Sequence, residues 1–358
     1  MNTSSATSNE SPADSSDSAT PHSDSGSISS ISFKQQLLKI LLSNEFGLLV
    51  LVIIFSIIFS IITPGFTSSF SLFAMGRTAA VNIVIGFSMM VVIVSGGLNL
   101  SVGSIGVCVA MAGGWLMQVA GFHWLVAVIG ALLLGAGIGA LNGFMIVKSG
   151  LHSFIITLAT MSIFFGVMIF LTQAGSFREL STEYVQFGRM KLGGIVSPLL
   201  LVTLVSALLL SYFFNFSATG RGLLAAGANP NAAELSGIRV DRMIVLCHAM
   251  SGMLAGLAGL MLVSRTGAAI PSMAGQLGQD WLLPAFLGPV LGGTLLTGGR
   301  ASVVGTLLGA FLVTLLTTGL LLLQVGAFWV QTWLGLLLLA AVLIDMFRRN
   351  YLMRRNLV

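Results

Sequence analysis

Charged residues are scarce in this chain. Asp, Glu, Lys and Arg together make up 8% of the 358 residues, whereas 56% are hydrophobic and the mean hydropathy is +1.00. A soluble protein of this length needs much more charge on its surface. The composition therefore excludes a soluble domain and predicts a polytopic membrane protein.

Cysteine is also rare. Cys108 and Cys247 are the two cysteines, and each falls inside an apolar run. Two residues so placed provide neither a disulfide framework nor the ligand spacing of a metal site. We expect both to be small packed core residues, and no metal site is predicted.

Acidic groups are missing from the middle of the apolar runs. Asp280 and Asp345 lie near the ends of such runs, and Glu179, Glu183 and Glu234 fall between them. Carriers coupled to protons or sodium ions normally need intramembrane acids, so secondary transport is disfavoured. No cluster of acid, histidine and nucleophile indicates an enzyme, and the net charge of +5 gives no sign of nucleic-acid binding.

A phosphate-binding loop of the GxxxxGK[ST] type is absent, because none of the four lysines follows a glycine. The chain is therefore not expected to hydrolyse ATP by that route. A membrane domain without an energy source of its own indicates a pore-forming subunit that a separate ATPase drives.

The apolar runs predict an all-α fold of about ten transmembrane helices. We place the spans at 46–63, 78–95, 102–120, 124–147, 153–172, 197–214, 243–264, 281–297, 301–322 and 328–347. With ten spans, both termini lie on the same side of the membrane.

The basic residues select that side. Eleven of the sixteen fall on the side of the termini, namely Lys34, Lys39, Lys148, Arg221, Arg239, Arg242, Arg300, Arg348, Arg349, Arg354 and Arg355. The other five are Arg77, Arg178, Arg189, Lys191 and Arg265. Because Lys and Arg are enriched in cytoplasmic loops, both termini are predicted to be cytoplasmic.

Three regions follow from these assignments. Residues 1–31 carry twelve serines and no apolar periodicity, so we predict a disordered cytoplasmic tail. The transmembrane domain covers 32–347, starts with an amphipathic lead-in at 33–42, and includes a cytoplasmic loop at 215–242. Residues 348–358 form a basic cytoplasmic tail.

The sequence SGGLNLSVGS, which begins at Ser95, interrupts the apolar pattern between the second and third spans. Paired glycines weaken a helix, and Asn and Ser offer the backbone other hydrogen bonds. Either Asn99 and Ser101 face a translocation path, or the segment is a short solvated turn. Asn142 and Thr157 are further path candidates, with interhelical hydrogen bonds as the alternative.

Glycines recur at four-residue spacing in several spans. The set comprises Gly135, Gly139 and Gly143, then Gly252 with Gly256, Gly288 with Gly292, and Gly305 with Gly309. Small residues at this spacing are typical of close helix contacts, with a flexible gate as the functional alternative. His248 has no acid or second histidine at helical spacing, so we expect a packing role.

The segment TGRGLLAAGANPNAAELSGI, from Thr219 to Ile238, is a polar segment between the spans with the signals of a capped helix. Asn229 can cap a helix that starts at Pro230, and Gly237 can end it after Ser236 in a left-handed conformation. A helix of about two turns is marginal alone in water. Either the membrane domain behind it or a partner in front must hold it, unless it is an ordinary connecting loop.

The longest loop on the opposite side covers 173–196. Its charged residues are Arg178, Glu179, Glu183, Arg189 and Lys191. This loop is either a docking surface for an extracytoplasmic partner or simply a solvated loop.

These segments carry a resemblance. The chain resembles the membrane permease subunit of ABC importers of the ribose and monosaccharide class. The matching segments are SGGLNLSVGS, NGFMIV from Asn142, FIITLAT from Phe154, the central segment, SGMLAGLAGL from Ser251 and LGGTLLTGGRASVVGTLLGA from Leu291. The resemblance covers nearly everything from about residue 80 onward and omits the serine-rich tail.

The resemblance implies where the partners bind. In such permeases a similar central segment meets the ATP-binding subunit, here at Gly227, Asn229, Pro230, Ala232, Ala233, Glu234, Gly237 and Ile238. ATP and Mg would bind to that partner, and this chain would bind no cofactor. A periplasmic solute-binding protein would deliver the solute, and a second permease copy or a paralogue would complete the path in the bacterial inner membrane, surrounded by lipid.

Some positions depart from the family pattern. The family commonly has Asp at position 99, a proline pair at 152 and 153, and an acid before an aliphatic run where Gln279 to Trp281 stand. The transport class survives these changes, whereas the identity of the solute does not follow. Related permeases handle pentoses, hexoses, sugar-like signalling molecules and, in distant branches, nucleosides or branched-chain amino acids.

Overall fold

The computed structural model describes residues 44–354, without the side chains of 44, 327, 341–342 and 344–354. All regular elements in this range are helical. The first seven are α1 (Asn44–Ile62), α2 (Ser69–Ile93), α3 (Val102–Gln118), α4 (Trp124–Ser149), α5 (Ser153–Thr172), α6 (Thr182–Arg189) and α7 (Pro198–Phe216). They are followed by α8 (Ala218–Ala228), α9 (Pro230–Leu235), α10 (Val240–Thr266), a 3₁₀ turn (Gln276–Trp281), α11 (Leu282–Leu291), α12 (Val303–Leu322) and α13 (Ala327–Arg354).

Seven of these helices, α1, α2, α4, α5, α7, α10 and α12, are long and apolar enough to cross a bilayer. Helix α3 and the apolar part of α13, Phe328–Ala340, are shorter. The all-α polytopic fold is confirmed, and the predicted span at 153–172 coincides with α5.

The predicted continuous span at 281–297 is wrong. Helix α11 ends at Leu291, and its ten residues cover about 15 Å, half of the hydrocarbon core. A 3₁₀ turn precedes it, in which Leu277 and Gly278 have positive φ. Gly293, with φ of +79°, lies in the turn that follows. An apolar run cannot distinguish such a broken segment from a full span.

Polar side chains at the helix starts explain where several helices begin. The Ser197 hydroxyl accepts a hydrogen bond from the Leu199 amide, and Pro198 occupies the first turn of α7. The His152 side chain accepts from the Phe154 amide at the start of α5. Gly150, at φ +66°, and Gly267, at φ +81°, end α4 and α10.

Helices α2 and α10 form the centre of the bundle. Helix α10 packs against α4, α2 and α3, and α2 packs against α11, α12 and α7. At the crossing of α4 and α10, a methyl group on Gly139 would overlap the carbonyl oxygen of His248. One on Gly135 would lie 2.8 Å from the Gly252 carbonyl oxygen. The glycine stripes are therefore helix contacts, as predicted.

Some predictions fall outside the described range, namely the tail at 1–31 and the lead-in at 33–42. The predicted basic tail at 348–358 starts inside α13, whose described backbone runs to Arg354. The predicted loop at 215–242 is mostly helical, because α8 and α9 occupy its centre.

Candidate functional site

The predicted break between the second and third spans is present. Helix α2 ends at Ile93, and α3 starts at Val102. Gly96 has φ of +78°, and residues 97–99 have no regular structure. The chain between α2 and α3 therefore runs as open backbone, with Gly96 exposed and Asn99 and Ser101 buried.

A network of polar side chains surrounds this break. The Asn99 amide donates to the Ser251 hydroxyl at 2.9 Å, and the Ser101 hydroxyl donates to the Asn99 carbonyl oxygen at 2.6 Å. The Asn142 amide donates to the Ser101 hydroxyl at 2.8 Å. Ser88 bonds to Ser251 at 3.0 Å. The network thus joins α2, the break, α4 and α10.

Two hydroxyl groups of α5 accept hydrogen bonds from backbone amides in the break. The Leu98 amide donates to the Ser153 hydroxyl at 2.8 Å, and the Leu100 amide donates to the Thr157 hydroxyl at 3.1 Å. Buried backbone groups without a partner are costly, so these hydroxyls stabilise the irregular conformation.

The structure thus brings together all four path candidates, Asn99, Ser101, Asn142 and Thr157. All four side chains are fully buried, whereas Gly96 of the same break is exposed. In this conformation Asn99, Ser101 and Asn142 bond to one another, and Thr157 bonds to the backbone of the break. Their place on the path stays a prediction. Sequence reasoning missed Ser88, Ser153 and Ser251, three of many serines in apolar surroundings.

An apolar cavity of about 330 Å³ lies beside the break. Gly96 and Leu98 of the break, His152, Phe286 and Val290 of α11, Leu296 and Leu338 line it.

The segment Ala218–Leu235, which we call the coupling segment, has the predicted local geometry. The Asn229 side chain accepts from the Ala232 amide at 3.1 Å, Pro230 starts α9, and Gly237 has φ of +81°. Helix α9 ends at Leu235, one residue before the predicted end. The preceding helix α8 was not predicted.

The coupling segment has an inner and an outer face. Ala233 is buried against Ala226 and Val240, and Gly227 is also buried. Leu235 is 92% exposed, and Ala232 and Glu234 are exposed beside it. Ala233 and Gly227 therefore support the segment from inside. Leu235, which sequence reasoning did not single out, belongs to the face that a partner can reach.

The opposite end of the bundle carries α6. The Tyr184 hydroxyl donates to the Leu260 carbonyl oxygen at 2.6 Å, and the Ser264 hydroxyl donates to the Tyr184 carbonyl oxygen at 2.6 Å. Burial raises the pKa of the Tyr184 hydroxyl, so it stays protonated. Arg189 donates to the Thr266 carbonyl oxygen at 2.6 Å. Helix α6 is thus fixed to the end of α10.

Several positively charged side chains lie at the end of the bundle that carries α6. Arg178 and Arg189 line a surface cavity of about 580 Å³, together with residues of α6 and Gly267. The Arg77 guanidinium lies 4.5 Å from the Phe73 ring centroid, and the Lys191 ammonium lies 5.1 Å from it. Among the side chains that the structure describes between residues 44 and 354, no arginine or lysine lies within 4.0 Å of a carboxylate oxygen, so these cations have no carboxylate partner there.

Comparison with known proteins identifies the family. The family model described as "Branched-chain amino acid transport system / permease component" matches residues 71–346. The chain belongs to this permease family. No solved structure matches the permease significantly.

The matches with curated relatives extend over most of this chain and most of each relative. The ribose import permease protein of Bacillus subtilis is 38% identical over 303 residues, 84% of this chain and 90% of that protein. The D-allose transport system permease protein of Escherichia coli is 33% identical over 267 residues, 75% and 80% of the two chains. The fructose import permease protein of Rhizobium meliloti is 31% identical over 325 residues, 88% and 89%.

The matched region of the permease contains the break, the coupling segment and α6, and it excludes α1. No group of three or more His, Cys, Asp or Glu residues in the described range could hold a metal ion.

Proposed function

We propose that this permease is the transmembrane subunit of an ATP-driven, binding-protein-dependent importer. Its solute is a monosaccharide or a similar small polar molecule, since ribose, allose and fructose are named for its relatives. The permease forms the translocation path with a second copy of itself or with a paralogue. The break at Asn99 and Ser101, with Asn142 and Thr157, is the part of the chain that neighbours this path.

The observation that carries the proposal is the coupling segment. Its capped helix presents the exposed Leu235 on a surface of small and polar residues, and Gly227 of the same segment lies against the backbone that follows α2. We expect a protein partner to cover this leucine, because the segment lies outside the spans and the resemblance places the ATP-binding subunit there. That partner is an ABC-type ATP-binding subunit, which holds ATP and Mg.

The α6 end receives the solute-binding protein. Its unpaired arginines attract acidic surface, and the attachment of α6 to α10 gives a firm platform. This end faces the periplasm, and the coupling segment and both termini face the cytoplasm of a bacterial cell with an inner membrane.

Reconstitution tests the proposal. The permease, its cognate ATP-binding subunit and its binding protein are placed in liposomes, and uptake of labelled ribose, allose and fructose is measured with and without ATP. We expect uptake of one sugar only when all components and ATP are present. Uptake by the permease alone under an ion gradient would indicate a secondary carrier. No solute-dependent ATP hydrolysis in the complex would indicate a scaffold.

A further inference from the structure

Gly227, near the end of α8, lies directly against the backbone that follows α2. A Cβ atom at position 227 would overlap the Val94 carbonyl oxygen and come within 2.8 Å of the Gly299 amide nitrogen. The Gly299 amide donates a 2.9 Å hydrogen bond to the same Val94 oxygen. Three segments distant in sequence therefore meet backbone to backbone at Val94, which is fully buried.

The third segment is the turn between α11 and α12. Gly298 and Gly299 have φ of +89° and +80°, a conformation that residues with side chains rarely adopt. A Cβ atom on Gly298 would come within 2.7 Å of the Gly227 carbonyl oxygen and 2.8 Å of the Gly96 amide nitrogen. The turn continues to Ser302, which caps α12. The contact thus reaches the break on one side and α12 on the other.

The coupling segment approaches this contact as one unit. Ala226 of α8, Ala233 of α9 and Val240 of α10 are buried together in a small apolar cluster. A displacement of α9 therefore carries α8 with it. Backbone atoms in direct contact have no side chain that can rotate away, so the displacement is transmitted and not absorbed.

The next step of the transmission is the break itself. Val94 is only five positions from Asn99, whose side chain is hydrogen-bonded to Ser101 and, on α10, to Ser251. Ser95 is also contacted, because the Cys247 thiol of α10 donates to its hydroxyl at 3.3 Å. A shift of Val94 therefore reaches the buried polar network directly.

We propose that Gly227 and Gly299 are positioning residues of the transport cycle. Their contact with Val94 carries a displacement of the coupling segment into the break between α2 and α3 and into the turn before α12 at the same time. This inference rests on the function proposed above, in which an ATPase moves the coupling segment.

The test compares G227A with G222A in the complete transporter in liposomes. Both replace a glycine of α8 by alanine, but a Cβ on Gly222 would have its nearest contacts at 3.9 Å. We measure solute taken up per ATP hydrolysed, and separately the binding of the ATP-binding subunit. G227A should lower the ratio at least tenfold and keep the subunit bound, whereas G222A should stay within twofold of wild type.

The outcomes separate the two proposals. An active wild-type complex with an unchanged ratio in G227A would overturn the role of the contact alone. A wild-type complex without solute-stimulated ATP hydrolysis would refute the proposed function.

A second measurement decides the matter if G227A does not fold. A Cβ atom on Gly299 would come within 2.7 Å of the Ala228 Cβ, so A228C and the neighbouring R300C, in a chain with C108A and C247A, are the pair to be cross-linked by oxidation. Segments that transmit motion by staying in contact should tolerate this link, with the ratio within twofold of the reduced form. Loss of transport on oxidation, with recovery on reduction, would show that the segments separate and would contradict the proposal.

Discussion

The side-chain amide of Asn99 donates a 2.9 Å hydrogen bond to the hydroxyl of Ser251, 152 positions later in the chain. The carbonyl oxygen of the same side chain accepts from the amide and the hydroxyl of Ser101. One buried asparagine thus holds an irregular segment against α10. Its importance for stability and for transport can be measured separately.

Replacing Asn99 by alanine should destabilise the permease. The amide and hydroxyl of Ser101 lose their acceptor, and each buried polar group left without a partner costs about 1–3 kcal/mol. We expect N99A to lower the free energy of unfolding by about 2–3 kcal/mol in a denaturation experiment in mixed micelles. The matched control is N215A, because Asn215 is exposed and its side chain bonds only to the Ser211 carbonyl oxygen of its own helix. Equal stability of the two variants would contradict the prediction.

Cysteine labelling tests whether the network neighbours the path. N99C and S101C, each with C108A and C247A, should be protected from a small water-soluble thiol reagent in the resting complex, because both positions are fully buried. If the break moves toward a path, both should react during ATP turnover. Protection in the resting and in the ATP-trapped complex would assign the two residues to packing alone.

The crossing of α4 and α10 gives a prediction with a control on the same helix. G139A places a methyl group against the His248 carbonyl oxygen, and overpacking of this kind costs about 1–3 kcal/mol. Gly137, two positions away, has nothing within 4 Å of its Cβ position. G137A should therefore be neutral or stabilising by up to about 1 kcal/mol, since alanine favours helix. The difference is read from unfolding midpoints in mixed micelles.

The sequence predicted the long helices well because twenty consecutive apolar residues have few alternatives. It failed at 281–297, where Pro289, Gly292 and Gly293 interrupt an equally apolar run. Hydropathy indicates whether a segment lies in an apolar environment. It does not indicate whether the segment forms one unbroken helix. The break at Ser95 was predictable because its glycines stand beside Asn and Ser.

The site could be predicted only in part. Asn99 and Ser101 stood out by their local sequence, but their partners Ser88 and Ser251 are fixed by how α2 and α10 pack. Likewise, local signals predicted the cap at Asn229 but not which side of α9 faces inward. That depends on the contact of Ala233 with Ala226 and so on tertiary structure.

The two faces of α9 should respond differently to substitution. A233W overfills the cluster with Ala226 and Val240, so it should lower the stability of the permease itself by about 1–3 kcal/mol. L235S leaves the fold unchanged, because Leu235 is 92% exposed. Burial of a leucine contributes about 1.5–3 kcal/mol, so L235S should weaken binding of the ATP-binding subunit roughly tenfold to hundredfold.

Binding of the purified subunit to permease in nanodiscs measures this effect, with N231A on the same exposed helix as the control. Normal affinity of L235S would mean that the segment is a connector. The turns at Lys148 and Arg300 would then be the next positions to test.

The cationic α6 end predicts a salt-dependent interaction. Arg178 is the best position to change, because its guanidinium bonds only to the nearby Ser176 hydroxyl, whereas Arg189 also supports the end of α10. An exposed ion pair contributes about 0.2–1 kcal/mol, and reversing the charge adds repulsion. R178E should therefore weaken binding of the solute-loaded binding protein roughly threefold to tenfold at low ionic strength, and less at about 0.15 M salt, where the Debye length is about 8 Å.

The control K148E makes the same charge change at the other end of the bundle and should have no effect on this binding. If R178E and K148E are indistinguishable at low salt, the loop at 173–196 is only solvated, and the binding protein must dock elsewhere.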